Sequence, residues 1–546
     1  MRTWKTVAEE KRKQIGESIP AKWRVKDITA AMLKDGYTNT KEYIDSLLSR
    51  QELAITNMTA TELSQRIAGG ELSSWDVCYA FCHRAALAHQ ILNCCVEIFF
   101  DQALQRAKEL DDYLSTHGTT VGSLHGVPIS LKDQVNLPGI DTTIGYVGYV
   151  GQEVKTKSLL AQVLEDKGAV FYVKTAVPMA MMAPETQSNL LGTTLNSINI
   201  AFSSGGSSGG EGALIGAHGS ILGVGTDIGG SIRIPASFQG LYGLRPSHGR
   251  IPYMGIANSY KGQEVIPSVI GPLATSLEDI VLFTKSVIES NTWERDPKVV
   301  PIPWRDTSYL KHQTLRFAVM WWDGSIMVHP PISRALQMVV RAVEKGSHEV
   351  IDWNFEHHAD VLDLATETFS ADHGQEIKDI CALSGEPVAD CVKSLVDYNP
   401  MERPISVEKW WKIGERKSEL REKFLSYWAH TSTKTTDGKP IDALICPVWP
   451  TAGFKKNDGK CIALNYTTPF NVIDCASVVF PVTTVDKNID KVDNEYIPVS
   501  ELDKKLKNYY DPNEFDKMPV CVQIVCPKFE EEKVLEISSI IKDLLA

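Results

Sequence analysis

A glycine-rich segment at residues 205–243 is the feature that most restricts how this chain can fold. Glycine occupies a third of its positions, and hydroxyl side chains lie between the glycines in the runs 205–212, GGSSGGEG, and 225–235, GTDIGGSIRIP. Glycine permits positive φ and lets a backbone approach another group closely, but it weakens ordinary helices and strands. The segment is therefore typical of a loop that presents backbone N–H groups and serines to a reacting group.

A lysine stands at a defined distance before this segment. Residues 126–133 read GVPISLKD, an apolar stretch typical of a strand, and Lys132 at its end precedes Ser207 by 75 positions. Ser231 follows Ser207 after another 24 positions. The order lysine, serine, serine supplies one base and two hydroxyls for a single site.

These motifs resemble the signature of the amidase signature family of serine hydrolases. The two glycine-serine runs match it, and so does their spacing from the lysine. Further stretches are similar to the fungal acetamidase or general amidase branch of the family: residues 18–23, 173–178, 241–250 and 301–305. The resemblance extends over nearly the whole chain. It implies an α/β fold, the amidase-signature fold, with a large central mixed β-sheet covered by helices on both faces.

The family pattern implies a role for each matching residue. It makes Ser231 the nucleophile, Lys132 the base and Ser207 the bridge between them, with a cis peptide bond between Gly206 and Ser207. A lysine accepts a proton only when neutral, so work near neutral pH requires its pKa to fall by about 2–3 units from a model value of about 10.4. Burial behind the apolar stretch would produce this shift, because desolvation disfavours the ammonium form.

The residues next to the nucleophile predict an oxyanion hole. Ile228, Gly229, Gly230 and Ser231 offer consecutive N–H groups, and the two glycines carry no side chain that would obstruct a carbonyl oxygen. Behind these groups we expect residues that hold the shape of the loop: Ser208, Thr226, Asp227 and Arg233.

A methionine-rich segment is the predicted substrate pocket. Many relatives have Asn and Gln where this chain has Ala176 and Met179, and Met181 and Met182 continue the apolar segment. If Met179, Met181 and Met182 line the acyl pocket, the enzyme prefers apolar acyl groups. If they only fill the core, as methionine often does, the pocket accepts acetamide-sized groups. Both interpretations stay open at this stage.

Other interpretations of the motifs fit less well. A glycine-serine run alone is typical of a flexible linker, but this run continues into a small-residue helical stretch that begins at Glu211. A phosphate-binding loop requires a lysine after its last glycine, and a dinucleotide fingerprint requires a third glycine where Ile228 stands. Residues 356–358 and His373 match no metal pattern. We therefore expect neither a metal nor a cofactor.

Composition excludes several function classes. The net charge of −12 argues against nucleic acid or an anionic membrane as a partner. No stretch approaches the roughly 18–20 apolar residues of a membrane span. The 11 cysteines are an odd number without the spacing of a disulfide framework, so we expect them to be reduced. These features predict a cytoplasmic protein whose partner is a small-molecule amide, and they leave a homodimer open.

The motif spread predicts one catalytic domain. Residues 59–546 contain the matching segments, and residues 1–58 are predicted to form a helical N-terminal arm with two helical stretches, broken at Pro20 and Gly36. A capping box at Thr59 and Glu62 predicts the first helix of the domain. A strand over residues 520–525 and a helix from Glu530 are predicted at its end.

The leading functional hypothesis is an amidase that hydrolyses a carboxamide to a carboxylic acid and ammonia through an acyl-Ser231 intermediate. Two alternatives keep the same fold. One is a hydrolase of larger N-substituted or fatty-acid-type amides, and the other transfers the acyl group to ammonia, as amidotransferase subunits do. A non-catalytic binding protein would not need Lys132, Ser207 and Ser231 together.

Overall fold

The computed structural model describes residues 2–397, 404–458 and 463–546. Within these ranges eleven strands form one mixed sheet and two short strands form a separate hairpin. The strands are β1 (Cys95–Ile98), β2 (Pro128–Lys132), β3 (Val170–Thr175), β4 (Gln187–Ser188), β5 (Gly192–Thr193), β6 (Leu222–Asp227), β7 (Tyr242–Arg245), β8 (Val269–Ala274), β9 (Arg316–Val319), β10 (Glu349–Asp352), β11 (Ala443–Pro447), β12 (Ala476–Thr484) and β13 (Pro519–Cys526).

Helices flank the sheet. They are α1 (Trp4–Ser18), α2 (Ile28–Lys34), α3 (Thr40–Asp45), α4 (Arg50–Thr56), α5 (Ala60–Ala68), α6 (Ser74–Leu92), α7 (Phe100–His117), α8 (Leu159–Asp166), α9 (Gly209–Gly216), α10 (Arg233–Gln239), α11 (Leu277–Ile288), α12 (Pro330–Lys345), α13 (His358–Phe369), α14 (Gln375–Ser384), α15 (Asp390–Asp397), α16 (Val407–His430), α17 (Thr468–Ile473), α18 (Glu501–Tyr509), α19 (Pro512–Phe515) and α20 (Glu531–Leu545).

The strand order of the large sheet is β1-β3-β2-β6-β8-β7-β12-β13-β11-β9-β10. β3, β2 and β6 are parallel neighbours, whereas β6 to β11 pair antiparallel along the middle of the sheet. Every residue of β2, β6 and β13 is buried, because helices such as α9, α12 and α20 pack on these strands. The expected α/β fold with a large central mixed sheet is confirmed.

The N-terminal arm contains four helices rather than the two predicted stretches. The additional helices begin at polar caps: Asn39 Oδ1 accepts from the Glu42 N–H, and Ser49 forms a capping box with Glu52. Apolar side chains of the arm, including Ile15 and Trp23, belong to the same hydrophobic core as the sheet. The arm is therefore packed as an integral layer of the fold.

Two further sequence expectations concern the whole chain. Across the described ranges, no helix combines the length and the apolar character that crossing a bilayer requires. The ten cysteines in those ranges are all free thiols, and nine of them are buried. Cys78 and Cys82 lie one helical turn apart on the buried face of α6.

Candidate active site

Lys132 lies where the carboxyl ends of parallel strands meet. It is the last residue of β2, and the register aligns Leu131 with Val224 of β6 and Lys132 with Thr175 of β3. Neighbouring strands lie about 4.8 Å apart, so the ends of β2 and β6 bring Lys132 close to Thr226. The Lys132 amine donates hydrogen bonds to Thr226 Oγ1 at 2.7 Å and to Ser207 Oγ at 2.8 Å.

Burial sets the charge of this lysine. The side chain of Lys132 is fully buried, and the loss of hydration lowers its pKa from the usual value to about 7. The negative charge of Asp227 acts in the opposite direction but does not reverse this shift. A substantial fraction of the amine is therefore neutral at neutral pH, as the sequence argument required.

Hydrogen-bond directions around Thr226 orient the lysine lone pair. Gln134 Nε2 donates to the carbonyl of Ala257 at 2.8 Å, which fixes the amide so that its Oε1 faces Thr226. The Thr226 hydroxyl donates to that Oε1 at 2.6 Å and, having one hydrogen, can only accept from Lys132. A neutral Lys132 thus points one hydrogen at Thr226 and is free to turn its lone pair towards Ser207.

The two serines lie in adjoining loops. Ser207 follows a cis peptide bond from Gly206, and a Cβ at Gly206 would lie only 2.5 Å from the Ala183 carbonyl oxygen, so no larger residue fits there. The Ser208 N–H donates to the carbonyl of Ser231 at 3.1 Å and joins the two loops. Both Ser207 and Ser231 are buried, with Ser231 8% exposed.

Asp227 organises the loop that carries Ser231. Its carboxylate accepts from the N–H groups of Gly230 at 2.8 Å and Ile232 at 3.2 Å, and from both Nε and Nη2 of Arg233 at 3.0 and 3.1 Å. Asn471 Nδ2 donates to the same carboxylate at 2.7 Å. Burial alone would raise the pKa of Asp227, but Arg233 and Asn471 hold it well below its usual range.

The N–H groups next to Ser231 are not equivalent. The Gly230 N–H is already bonded to Asp227, whereas those of Ile228, Gly229 and Ser231 have no hydrogen-bond partner among the described residues. Gly230 has φ of +132°, and a Cβ there would lie 2.4 Å from Thr467 Oγ1, so the turn requires glycine. Of the four expected oxyanion donors, three are therefore available to a carbonyl oxygen.

Removing the charge of Asp227 should lower the free energy of unfolding, because its carboxylate holds the loop that carries Ser231. In Asp227→Asn the buried guanidinium of Arg233 loses its carboxylate, and breaking such a pair costs about 3–5 kcal/mol. We expect a loss of this size in the free energy of unfolding measured by urea denaturation. Glu289→Gln, which breaks the half-exposed pair with Lys285 on α11, is the control and should leave it nearly unchanged. Equal effects of the two substitutions would contradict this role of Asp227.

An apolar cavity of about 80 Å³ adjoins Ser231. Its wall includes the backbone at Gly206, Ile228 and Gly229 together with apolar side chains: Met181, Met182, Ile234, Phe369, Leu395 and Leu464. Met179 is not among the lining residues; its sulfur contacts Cys381 and the Ala389 N–H in an apolar cluster that also contains Met181. The segment turns between these methionines, because Ala180 and Met181 have φ of 62° and 58°.

A second cavity of about 360 Å³ shares Phe369 with the first. It is lined by Tyr260 and Trp410 and by the carboxyl groups of Asp372 and Glu376, and it reaches the surface at Val407, which is 64% exposed. Phe369, at the end of α13, therefore belongs to the wall of this cavity and to the wall of the smaller, inner cavity at Ser231.

One group of potential metal ligands lies outside this site. His89, Cys94 and Cys95 are the described residues whose ligand atoms come within 4.8 Å of one another. His89 Nδ1 already accepts the Cys95 N–H at 3.1 Å, which leaves that ring nitrogen without a free lone pair.

Several residues that shape the site were not singled out from the sequence. Thr467 and Thr468 donate to the Gly229 carbonyl at 2.7 and 2.8 Å, Asn471 binds Asp227, and Gln134 orients Thr226. The run 465–471, NYTTPFN, is unusually polar for a segment between apolar stretches. That polarity was the only signal available, and it did not indicate which loop the run would contact.

Comparison with known proteins assigns the chain to a family. The family model described as Amidase matches residues 76–535. An acetamidase of Aspergillus oryzae is 41% identical over 549 aligned residues, which cover 100% of this chain and 99% of the relative, and an acetamidase of Emericella nidulans is also 41% identical, with 98% of it covered. Among solved structures, a fatty acid amide hydrolase superposes with a TM-score of 0.93 at 35% identity, covering 99% of this chain and 95% of that chain.

Proposed function

The chain belongs to the amidase family, and we propose that it hydrolyses carboxamides to a carboxylic acid and ammonia through an acyl-enzyme formed on Ser231. As an amidase it acts on carbon–nitrogen bonds. The observation that carries the finer proposal is the contact between a buried Lys132 with lowered pKa and the hydroxyl of Ser207. This contact supports a relay in which Ser207 connects the lysine base to the hydroxyl of Ser231.

In the first half of the reaction, neutral Lys132 takes the hydroxyl proton of Ser207 while Ser207 takes that of Ser231. The Ser231 oxygen forms a bond to the amide carbon, and the carbonyl π electrons move to the oxygen. Donors that stabilise such an oxyanion are each worth about 2.7–4 kcal/mol of barrier. The free N–H groups of Ile228, Gly229 and Ser231 are suited to this role.

In the second half, the relay runs in reverse. The lysine proton passes through Ser207 to the leaving nitrogen, the carbon–nitrogen bond breaks, and ammonia departs. Water then replaces the amine: it loses its proton to the same relay, attacks the acyl carbon, and releases the carboxylic acid and Ser231. Lys132 accepts one proton when Ser231 attacks and returns it to the leaving nitrogen, then accepts one from water and returns it to Ser231, so the cycle needs no other acid or base.

The activity should rise with pH through a single ionisation with a midpoint of about 7. Because burial lowers the pKa of Lys132 to that value, the amine is protonated and inactive below it and neutral and active above it. kcat/KM for an uncharged amide should fall about tenfold per pH unit on the acidic side. If the substrate has no ionisable groups, the acidic limb of the pH profile reports the ionisation of a group on the enzyme alone. A flat profile, or one that falls as pH rises, would exclude a lysine base.

Amides with larger apolar acyl groups are the second candidate substrates. The side chains that line the inner cavity are apolar, and a fatty acid amide hydrolase is among the similar structures. Phe369 also lines a larger cavity of about 360 Å³. These observations favour a substrate longer than acetamide.

Lengthening the acyl group from acetamide to hexanamide should raise kcat/KM by roughly two orders of magnitude. Four added methylenes contribute about 0.8 kcal/mol each if they are buried in the transition state. Met182→Ala should flatten this dependence, because Met182 lines the cavity. The matched control is Met179→Ala, which removes a methionine that packs against Cys381 and should leave the dependence unchanged. If kcat/KM of the wild type stayed flat or fell from acetamide to hexanamide, small amides would be the preferred substrates.

A further inference from the structure

Glu211 is a buried acidic residue that the proposed mechanism does not use. It lies on α9, its side chain is fully buried, and its Oε1 accepts a hydrogen bond of 2.8 Å from Thr175 at the end of β3. Its Oε2 contacts the hydroxyl of Ser130 on β2. A Cβ at Gly223 of β6 would lie 2.0 Å from that oxygen, so glycine is required to admit the carboxyl. Glu211 thus connects α9, the helix after Ser207, with β2, which carries Lys132, and with β3, which carries Thr175.

Counting hydrogens around Ser130 gives the protonation state of this carboxyl. Ser130 Oγ lies within hydrogen-bond distance of two oxygens, Glu211 Oε2 and Ser220 Oγ, the latter at 2.9 Å. Ser220 uses its own hydrogen on the Leu222 carbonyl at 3.0 Å, so it accepts from Ser130. A hydroxyl carries one hydrogen. Both contacts of Ser130 are hydrogen bonds only if the second hydrogen comes from the carboxyl of Glu211.

The electrostatic surroundings agree with a neutral acid. Burial raises the pKa of Glu211 to about 8, although the Ser130 and Thr175 hydroxyls act in the opposite direction. The titratable groups that face it are Lys132 on β2, Tyr172 on β3, Cys95 on β1 and Cys94 just before β1. An ionised Glu211 would stabilise the ammonium form of Lys132 and make the amine a poorer base.

We propose that Glu211 is a positioning residue that works as a protonated carboxylic acid, joining α9 to β2 and β3 while leaving the neutral form of the Lys132 amine undisturbed. The proposal rests on the proposed function of Lys132 as the base. It extends the site to a second layer of ordered hydrogen bonds that runs from Glu211 through Ser130 and Ser220 to the Leu222 carbonyl. Glutamine at position 211 could keep this chain, because its amide N–H₂ donates and its carbonyl accepts.

The protonation itself can be measured without turnover. The infrared difference spectrum of wild type minus Glu211→Gln at neutral pH should contain a carbonyl band of a protonated carboxylic acid that shifts in D₂O. The control is Glu532→Gln, which removes a buried carboxylate paired with Arg250 and Arg305 and should not remove that band. A spectrum in which Glu211→Gln removes only carboxylate bands would overturn the proposal, whatever the fate of the proposed reaction.

Measurements of kcat distinguish a positioning role of Glu211 from a role in packing alone. Glu211→Gln should keep kcat within a few-fold of the wild type, with the acidic limb of its pH profile unmoved, whereas Glu211→Ala should lose an order of magnitude or more. If Glu211 were ionised in the working enzyme, removing its charge in the glutamine variant would lower the pKa of Lys132 and move the limb to lower pH. That displacement, or equal losses in the glutamine and alanine variants, would contradict the proposal.

Discussion

Replacing Ser231 by alanine should reduce kcat on the order of 10⁶-fold, the loss found when the nucleophile of a serine hydrolase is removed. The hydroxyl is the only group in the proposed mechanism that forms a bond to the substrate carbon. Its loss cannot be compensated by Lys132 or Ser207, because neither reaches the acyl carbon in that mechanism. The rate of ammonia release from an amide substrate measures the effect.

Covalent labelling provides the control for this result. A fluorophosphonate should modify the wild type at Ser231 and leave Ser231→Ala unlabelled. Ser208→Ala should still be labelled, because its hydroxyl is bonded to the backbone of Thr226 at 3.3 Å and its role is to hold the loop. Persistent labelling of Ser231→Ala on another serine would mean that the nucleophile had been wrongly assigned.

Removing the base should cost roughly 10⁴-fold in kcat, and removing the bridge should cost a similar factor. Lys132→Met keeps the volume of the side chain but removes the amine, and Ser207→Ala removes the hydroxyl that connects it to Ser231. Because both substitutions interrupt one relay, the double variant should be little worse than the poorer single variant. Single-turnover rates of the three variants test this expectation.

Lys174→Met is the matched control for the loss of a buried lysine. Lys174 is also fully buried, on the neighbouring strand β3, but it donates to the Asp141 carbonyl and to Thr142 and lies 3.4 Å from Asp133. Its replacement should lower stability and leave the kcat of the folded enzyme within an order of magnitude. If the double variant of Lys132 and Ser207 lost the product of the two single factors, the two residues would act independently and the relay would be excluded.

The candidate catalytic residues were assigned from the sequence because the glycine-serine runs and their spacing from Lys132 resemble the family signature. The glycine content of the loop is a local pattern that could be read without knowledge of distant contacts. The capping box at Thr59 and Glu62 and the final strand and helix were likewise predicted from local patterns, and β13 and α20 extend over Pro519–Cys526 and Glu531–Leu545. These parts of the fold follow from short-range rules.

Long-range partners could not be predicted in the same way. Asn471 on α17 binds Asp227 at the end of β6, 244 positions earlier in the sequence, and nothing in the spacing of polar residues in a single chain fixes such a pairing. The turn between the methionines could not be predicted for a different reason. Ala180 and Met181 adopt positive φ, a conformation that neither residue type signals, and this turn separates Met179 from Met182.

The proposed proton-transfer groups lie on strands, whereas part of the cavity wall lies on helices. Lys132 and Thr226 are held at the ends of two buried parallel strands, whereas the cavity wall includes Phe369 at the end of α13 and Leu395 on α15. Substitutions in the part of the wall that α13 and α15 provide should therefore accumulate without moving Lys132 and Thr226. Such a chain is a suitable starting point for directed evolution towards new amides, because libraries confined to residues 358–397 would vary substrate choice and leave proton transfer intact.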